Sequence, residues 1–295
     1  MAYEEHARVP GIQTRCLKRG ATLSLAVEDD GCLWTIYGEG GGCTLEVTGE
    51  ASGVWIPLHG SLQVHSSGLN QPVHAGEVLV TEHDNHARAV GHASGRWLVL
   101  LGGKRVWKWL LMLASASETQ LLPEMHEADR ELRRAAIAVV RATQPLELAG
   151  AVHAVTDKIA TLQAPMYMAI ARCPGRTWAK QRWVFLRLQR VRNYIAACCN
   201  RNLDNKALAL MAHFSPCYFL RTFKAVYLET PHAYLLDQRL KRAKRMLHTS
   251  GLAITEVALA SGFENRSVFS RTFRQRFGIT AQETRRRVTG LAMAE

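Results

Sequence analysis

The strongest constraint on this chain is a stretch that occurs twice. Phe219-Leu-Arg-Thr-Phe-Lys-Ala-Val-Tyr227 aligns with Phe269-Ser-Arg-Thr-Phe-Arg-Gln-Arg-Phe277 at an offset of 50. Upstream, Leu208-Ala209 aligns with Val257-Ala258 at an offset of 49, so one turn is a residue longer in the second copy. Each copy reads as a short apolar helix, a turn, and a second helix ending in aromatic residues, which is the helix-turn-helix pattern. Ala209 and Ala212 are small where two helices must approach closely. Ser215-Pro216 offers a capping hydroxyl and a proline for the first helical position. Gly262 makes a positive φ available to the second turn at low cost. Thr280-Ala-Gln-Glu283 has the spacing of a capping box opening a last helix.

Between the copies, Leu236, Leu240, Ala243 and Leu247 fall on one face of a helix running from Thr230-Pro231 to His248. About 18 residues at 1.5 Å each give ~27 Å, a separation that lets two recognition helices enter successive major grooves on one side of a duplex. Charge supports a polyanionic partner. The chain carries a formal +12, but residues 174–295 hold 22 basic and 7 acidic residues, whereas residues 1–173 hold 15 and 18. A near-neutral domain joined to a strongly basic module is implied. With 47% apolar and 21% charged residues, wholesale disorder and a coiled-coil rod are excluded.

From Arg187 to Arg287 the sequence resembles the DNA-binding domain of the AraC/XylS family of bacterial transcription regulators. The matching residues are Leu208-Ala209, Ala212, Ser215, Arg221-Thr-Phe-Lys224, Pro231-His-Ala-Tyr234, Arg239-Leu240, Ala243, Leu247, Ile254, Val257-Ala258, Gly262-Phe263, Ser270-Arg-Thr-Phe273 and Phe277-Gly278. Three positions depart from the family pattern. Leu228 stands where a glycine follows the first aromatic, Ala281 stands where a proline is expected, and His213 occupies a turn position that is commonly small. The resemblance implies a seven-helix domain with two helix-turn-helix units, in a regulator that usually activates transcription by contacting RNA polymerase. Double-stranded DNA is the implied partner.

The resemblance also places the base-facing positions early in each recognition helix: Pro216, Cys217, Leu220 and Arg221 in the first copy, Arg266, Ser267, Ser270 and Arg271 in the second. Arg pairs bidentately with guanine, Ser bonds several base edges, and Leu or Cys contacts a thymine methyl. The second set is therefore the richer in hydrogen-bond readout, and the first suits thymine-rich sites. A structural role for Arg221 and Arg271, bonding backbone or a neighbouring acid, stays open. Phe219, Phe223, Phe269, Phe273 and Phe277 read as core. Lys241, Arg242, Lys244 and Arg245 form a charge run that is either a solvated face or a phosphate contact, with Lys241 and Arg245 the candidates for the latter. Arg285-Arg-Arg287 is similar.

The fold class expected is α+β: an N-terminal antiparallel β-barrel with following helices, then the all-α domain. Between residue 20 and about residue 102, apolar residues alternate over short stretches such as Leu33-Trp-Thr-Ile-Tyr37 and Leu62-Gln-Val-His65, separated by turn clusters, as in a sandwich or barrel. From 104 to about 172 the period changes to helical, as in Leu132, Ala135, Ala136, Val139 and Val140. Cys173-Pro-Gly-Arg176 reads as a linker. The expected domains are 1–118 (a sensory barrel), 119–172 (a helical subdomain, pairing with a second copy or packing on its own barrel), 173–183 (linker) and 184–295 (DNA-binding). Val54-Trp-Ile-Pro-Leu-His-Gly60, Leu62-Gln-Val64 and Gly76-Glu77-Val-Leu-Val80 are similar to the cupin-type barrels of many such regulators, which implies room for a small effector.

Six of the twelve histidines, His59, His65, His74, His83, His86 and His92, fall within one segment. Metal-binding cupins carry an early HxH with a following Glu, and no such pair stands upstream of Gly60, so no metal and no other cofactor is expected. Arg172-Cys-Pro-Gly-Arg176 resembles the arginine pair of cyclic-dinucleotide receptors; anchoring at the junction is the alternative role for Arg172 and Arg176. Cys198-Cys199 fits buried packing or a redox pair. No GxSxG, HExxH or Walker phosphate loop occurs, so an enzyme is not expected. The seven cysteines form no CxxC, the first ten residues lack an apolar signal core, and no run approaches the ~20 residues of a membrane span. A soluble cytoplasmic protein is expected, with a cupin-type enzyme bearing a DNA-binding tail or a nonspecific architectural binder as the competing classes.

Overall fold

The computed structural model describes residues 11–292, apart from Asp30, Asn85, Ala93 and 115–119. The chain divides into two compact units, Met1–Met168 and Ala169–Glu295.

The first unit contains strands β1 (Ile12–Leu17), β2 (Thr22–Ala26), β3 (Leu33–Glu39), β4 (Thr44–Thr48), β5 (Ala51–His59), β6 (Ser61–Ser66), β7 (Leu69–His74), β8 (Glu77–Asp84), β9 (Arg88–Gly91), β10 (Arg96–Gly102) and β11 (Glu124–Glu127). They form two sheets, ordered β1-β3-β10-β5-β8-β11 and β2-β4-β9-β6-β7. Helices α1 (Lys104–Leu113), α2 (Arg130–Arg141) and α3 (Pro145–Ala171) follow the strands or interrupt them. The expected β-rich half is present as two separate sheets, and it is not wholly antiparallel: β1 runs parallel to β3 and β2 parallel to β4. The chain crosses from one sheet to the other at each of the β1–β2, β2–β3 and β3–β4 connections. Two strands laid in this way in each sheet must share a direction, and periodicity alone does not reveal that.

Side-chain alternation sorts these strands between two cores. On β5, Val54 and Ile56 pack with Trp107, Leu110, Leu132 and Ile159 of the helices, whereas Trp55 packs with Leu45, Leu62, Val64 and Trp97 between the sheets. On β10, Leu98 and Leu100 face the helices while Trp97, Val99 and Leu101 face the second sheet. The six-stranded sheet is thus covered on both faces, which is why its central strands read as continuous apolar runs. The inter-sheet space is occupied: Trp55 and Trp97 are both 0% exposed, and a Cβ at Gly38 would lie 2.1 Å from the Trp97 ring. The expected effector chamber therefore coincides with a packed core. Strand β11 lies in the stretch expected to be a separate helical subdomain. It pairs with β8 instead, and Gln163 of α3 bonds both the N–H and the carbonyl of Leu122 just before it. The His83 imidazole lies outside the described residues, and among the described residues no cluster of three His, Cys, Asp or Glu gathers to hold a metal.

The second unit contains seven helices among its described residues, the number the resemblance implies: α4 (Trp178–Ala197), α5 (Asn205–Met211), α6 (Pro216–Tyr227), α7 (Pro231–Thr249), α8 (Ile254–Ala260), α9 (Arg266–Phe277) and α10 (Ala281–Ala292). Helix α4 thus begins inside the expected linker, its first turn capped by the Thr177 hydroxyl accepting from Lys180 N–H. No described helix is long and apolar enough to cross a membrane.

Candidate nucleic-acid interface

The repeat in sequence is a repeat in space. Helices α5 and α8 are both seven residues long and sit 49 residues apart; α6 and α9 are both twelve long and sit 50 apart. The turns between them carry the same bonds. His213 N–H donates to Leu210 O and Phe214 N–H to Ala209 O; Gly262 N–H donates to Leu259 O and Phe263 N–H to Ala258 O. Both turns need a left-handed residue, His213 at φ 51° and Gly262 at φ 92°. Both second helices also end in one, Leu228 at φ 63° and Gly278 at φ 75°.

The aromatic residues hold these helices from behind. Phe219, Phe223 and Tyr227 stack at four-residue steps with centroids 5.7 and 4.7 Å apart, as do Phe269, Phe273 and Phe277 at 5.4 and 4.7 Å. Phe219, Phe223, Phe269 and Phe273 are 0% exposed. With that face buried, a 3.6-residue period turns positions 216, 217, 220 and 221 of α6, and 266, 267, 270 and 271 of α9, outward together. The structure places Pro216, Cys217, Leu220 and Arg221 on the exposed face of α6, and Arg266, Ser267, Ser270 and Arg271 on the exposed face of α9. The second set lines an open groove of 1090 Å³, together with Arg274 and Gln275. Arg274 was absent from the sequence-based set, although its spacing of three from Arg271 puts it on the same face.

The two helix starts differ. Asn265 caps α9 by accepting from both Ser267 and Val268 N–H at 2.8 and 3.2 Å. Ser215 does not cap α6 with its side chain, contrary to expectation. Proline at the first position removes one of the orphan donors such a cap would serve, and pre-sets the helical φ. The capping box at α10 is present: Glu283 accepts from Thr280 N–H at 2.7 Å, and the Thr280 hydroxyl accepts from Glu283 N–H at 3.1 Å. The Thr280 N–H and the Thr280 hydroxyl, which donates to the same carboxylate at 2.9 Å, hold the Glu283 carboxyl below its usual range.

Several cations of α7 are engaged within the protein. Arg239 donates to Cys199 O and Arg201 O, and Arg242 to Ala260 O. Lys241 pairs with Asp237 at 3.3 Å, a carboxylate it shares with Arg276, and Arg245 is half-buried. Arg172 donates its Nε to Val226 O near the C-terminal end of α6 at 2.8 Å, and Arg176 is exposed in the turn before α4. Cys199 is buried and its thiol is pushed up by that burial, while Cys198 is half-buried. Burial also pushes the Glu229 carboxyl up, opposed by Arg192. The Arg192 guanidinium lies 5.0 and 4.4 Å over the Tyr227 and Tyr234 rings.

Two helix-turn-helix units in tandem, each showing an exposed face in front of a buried aromatic one, define a helix-turn-helix domain. Residues 208–287 match the family described as a helix-turn-helix domain. The HTH-type transcriptional regulator YobQ of Bacillus subtilis is 37% identical over 86 residues, 29% of this chain and 36% of that protein. The HTH-type transcriptional regulator ExsA of Pseudomonas aeruginosa is 33% identical over 67 residues, 23% of this chain and 24% of that protein. A crystal structure of an AraC-type transcriptional regulator from Chromobacterium violaceum aligns at 29% identity over 35% of this chain and 91% of that one, with a TM-score of 0.33. The chain thus spans about a third or less of the length of these curated relatives. Its residues 208–287 are similar to the helix-turn-helix domains of transcriptional regulators.

Proposed function

We propose that this chain is a sequence-specific transcription regulator that acts on double-stranded DNA in the cytoplasm and activates by contacting RNA polymerase. It lays α6 and α9 into successive major grooves. The observation that carries this reading is the pair of exposed faces at one repeat spacing: Pro216, Cys217, Leu220 and Arg221 on α6, and Arg266, Ser267, Ser270 and Arg271 on α9. Helix α7, 19 residues and so ~28 Å long, joins the two units on a scale that suits neighbouring grooves. The groove along α9 supports sharper readout by the second unit, because its arginines and serines offer donors where α6 offers Leu220 and Cys217. The ion pair of Lys241 with Asp237 on the same helix leaves phosphate contact on α7 to Lys244, the other exposed cation of the run. No catalytic step belongs to this reading.

For the first unit, pairing with a second copy has more support than an effector held between the sheets, because that space is filled by Trp55 and Trp97. A groove of 510 Å³ on its helices is lined by Arg134, Ile137, Arg141 and Glu147, and the nearby Leu146 is 85% exposed. The bond from Arg172 to Val226 O, within the second unit, supports a structural role for that arginine over a cyclic-dinucleotide grip.

Selection from a random duplex pool with the full chain at physiological salt tests the main proposal. The expected result is a bipartite site with halves about one helical turn apart. Retention of every sequence alike would overturn it in favour of a nonspecific binder. Light scattering at micromolar protein tests pairing, and a monomer there removes it.

A further inference from the structure

Helix α4 carries five basic residues and no acidic one over Trp178–Ala197. On one face, Lys180, Trp183, Arg187 and Arg190 follow at steps of three, four and three. Trp183 is 51% exposed. The Lys180 Nζ lies 5.8 Å from its ring centroid, and the Arg187 guanidinium lies 4.0 Å over the same ring. Arg187 also lies 5.0 Å over Phe214, in the turn of the first helix-turn-helix unit. Phe214 meets Tyr218 edge-on at 5.0 Å, and Arg221 sits 5.9 Å over Tyr218. A continuous run of cations and rings therefore leads from α4 to the exposed face of α6.

The second copy has no such run at its turn. The residue equivalent to Phe214 is Phe263, 5% exposed and packed on Phe269. The position of Tyr218 is taken by Val268. A core does not require Phe214 to stay half-exposed against an arginine, nor a tryptophan to stand half in water beside two cations. Stacking on rings fixes the direction of flexible cationic side chains without neutralising them, as a surface that meets phosphates requires.

We propose that this α4 face is a second contact with the same duplex. Lys180 and Arg190 would meet phosphates flanking the half-site read by α6, with Trp183 and Phe214 holding Arg187 between them. The partner is the sugar-phosphate backbone, since the face offers positive charge and ring surface but no acceptor to read a base. The inference rests on the proposed docking of α6, and the two fail differently.

The test uses the full chain and a duplex bearing the selected site with flanks of about one helical turn (~10 base pairs), and a random-sequence duplex in parallel. In Lys180→Ala/Arg190→Ala, binding weakens roughly ten-fold near physiological salt and the salt slope falls by about two. The base preference stays unchanged, and the hydroxyl-radical footprint recedes at the end next to the α6 half-site. Trp183→Ala gives the same recession with a smaller change of slope. Arg271→Ala serves as the contrast: it alters base preference and leaves that footprint edge in place. An unmoved edge and an unchanged slope in the double variant would overturn the proposal, as would intact DNA binding with lost transcription in a purified system, which would assign the face to a protein. If selection enriches no sequence, the reading of α6 falls. The slope on random duplex then still decides whether α4 touches phosphate.

Discussion

The two helix-turn-helix units share a backbone and a stacked aromatic core, and differ at their left-handed positions, their helix starts and their exposed faces. At the two left-handed positions of each unit, the second uses Gly262 and Gly278, and the first uses His213 and Leu228. A non-glycine residue in that region costs roughly 1–2 kcal/mol. The first unit carries that cost twice and still forms the same turn bonds, because the buried alanines, phenylalanines and hydrogen bonds around it fix the path. What differs is the space beside each residue. His213 is exposed and Leu228 is 72% exposed, so their side chains point into solvent. Gly262 instead lies against the end of α4: a Cβ there would meet Asn200 Cα at 2.9 Å, Cys199 O at 3.0 Å and Arg239 Nε at 2.9 Å. The same conformation is thus a preference in one copy and a steric requirement in the other.

The largest expected effect follows from that contrast. Gly262→Ala adds left-handed strain to a clash with backbone, and should destabilise the chain by about 3 kcal/mol. His213→Gly, at the equivalent position, should raise stability by about 0.5–1 kcal/mol. Thermal unfolding of the full-length variants measures both. Equal and small effects would mean that α4 can withdraw from Gly262, and the steric half of the comparison would be lost.

Readout should split in the same way. Arg266→Ala and Arg271→Ala should each cost about 1–3 kcal/mol on the selected site and relax preference in one half of it. Leu220→Ala should cost about 1 kcal/mol, the scale of a lost methyl contact, and weaken only a thymine preference in the other half. Competition binding against a panel of single-base variants of the site separates the two patterns. If both arginine variants keep the wild-type preference, α9 is not the sharper reader.

The repeat was legible because identity at a fixed offset survives without knowledge of packing, and it carried with it the aromatic cores, the glycine turn and the capping box. The resemblance named residues 266, 267, 270 and 271, and helical period brings them to one exposed face of α9. Other features depended on partners that the sequence does not connect. The parallel pairs β1/β3 and β2/β4 come from strand crossings between sheets, which leave no mark on alternation. Strand β11 takes its conformation from pairing with β8 rather than from its own four residues. The stack of Trp183, Arg187 and Phe214 joins residues up to 31 apart in sequence, with no spacing rule to announce it. The unused Ser215 hydroxyl is a local motif overridden by the proline beside it.

Helix ends offer a smaller test. Gly278→Ala should lower stability by about 1 kcal/mol and Leu228→Gly should raise it by about the same or less, since both residues end their helices with a matching bond, Gly278 N–H to Arg274 O and Leu228 N–H to Lys224 O. Nothing lies within 4 Å of a Cβ built on Gly278, so conformation alone acts there. A Gly278→Ala loss as large as that of Gly262→Ala would show that the clash at Gly262 adds little.

The smallest effects belong to the helix starts, and there the comparison predicts one loss and one null. Asn265→Ala removes the acceptor for two backbone N–H groups at the start of α9, and a lost cap of this kind costs about 1 kcal/mol. Ser215→Ala removes a side chain that makes no capping bond to α6, so its unfolding midpoint should match that of the parent chain. Denaturant unfolding of the two variants beside the parent resolves the difference. A Ser215→Ala loss equal to that of Asn265→Ala would mean that the hydroxyl caps α6 in solution. The two units would then start alike, and the distinction between a proline-set and an asparagine-capped recognition helix would disappear.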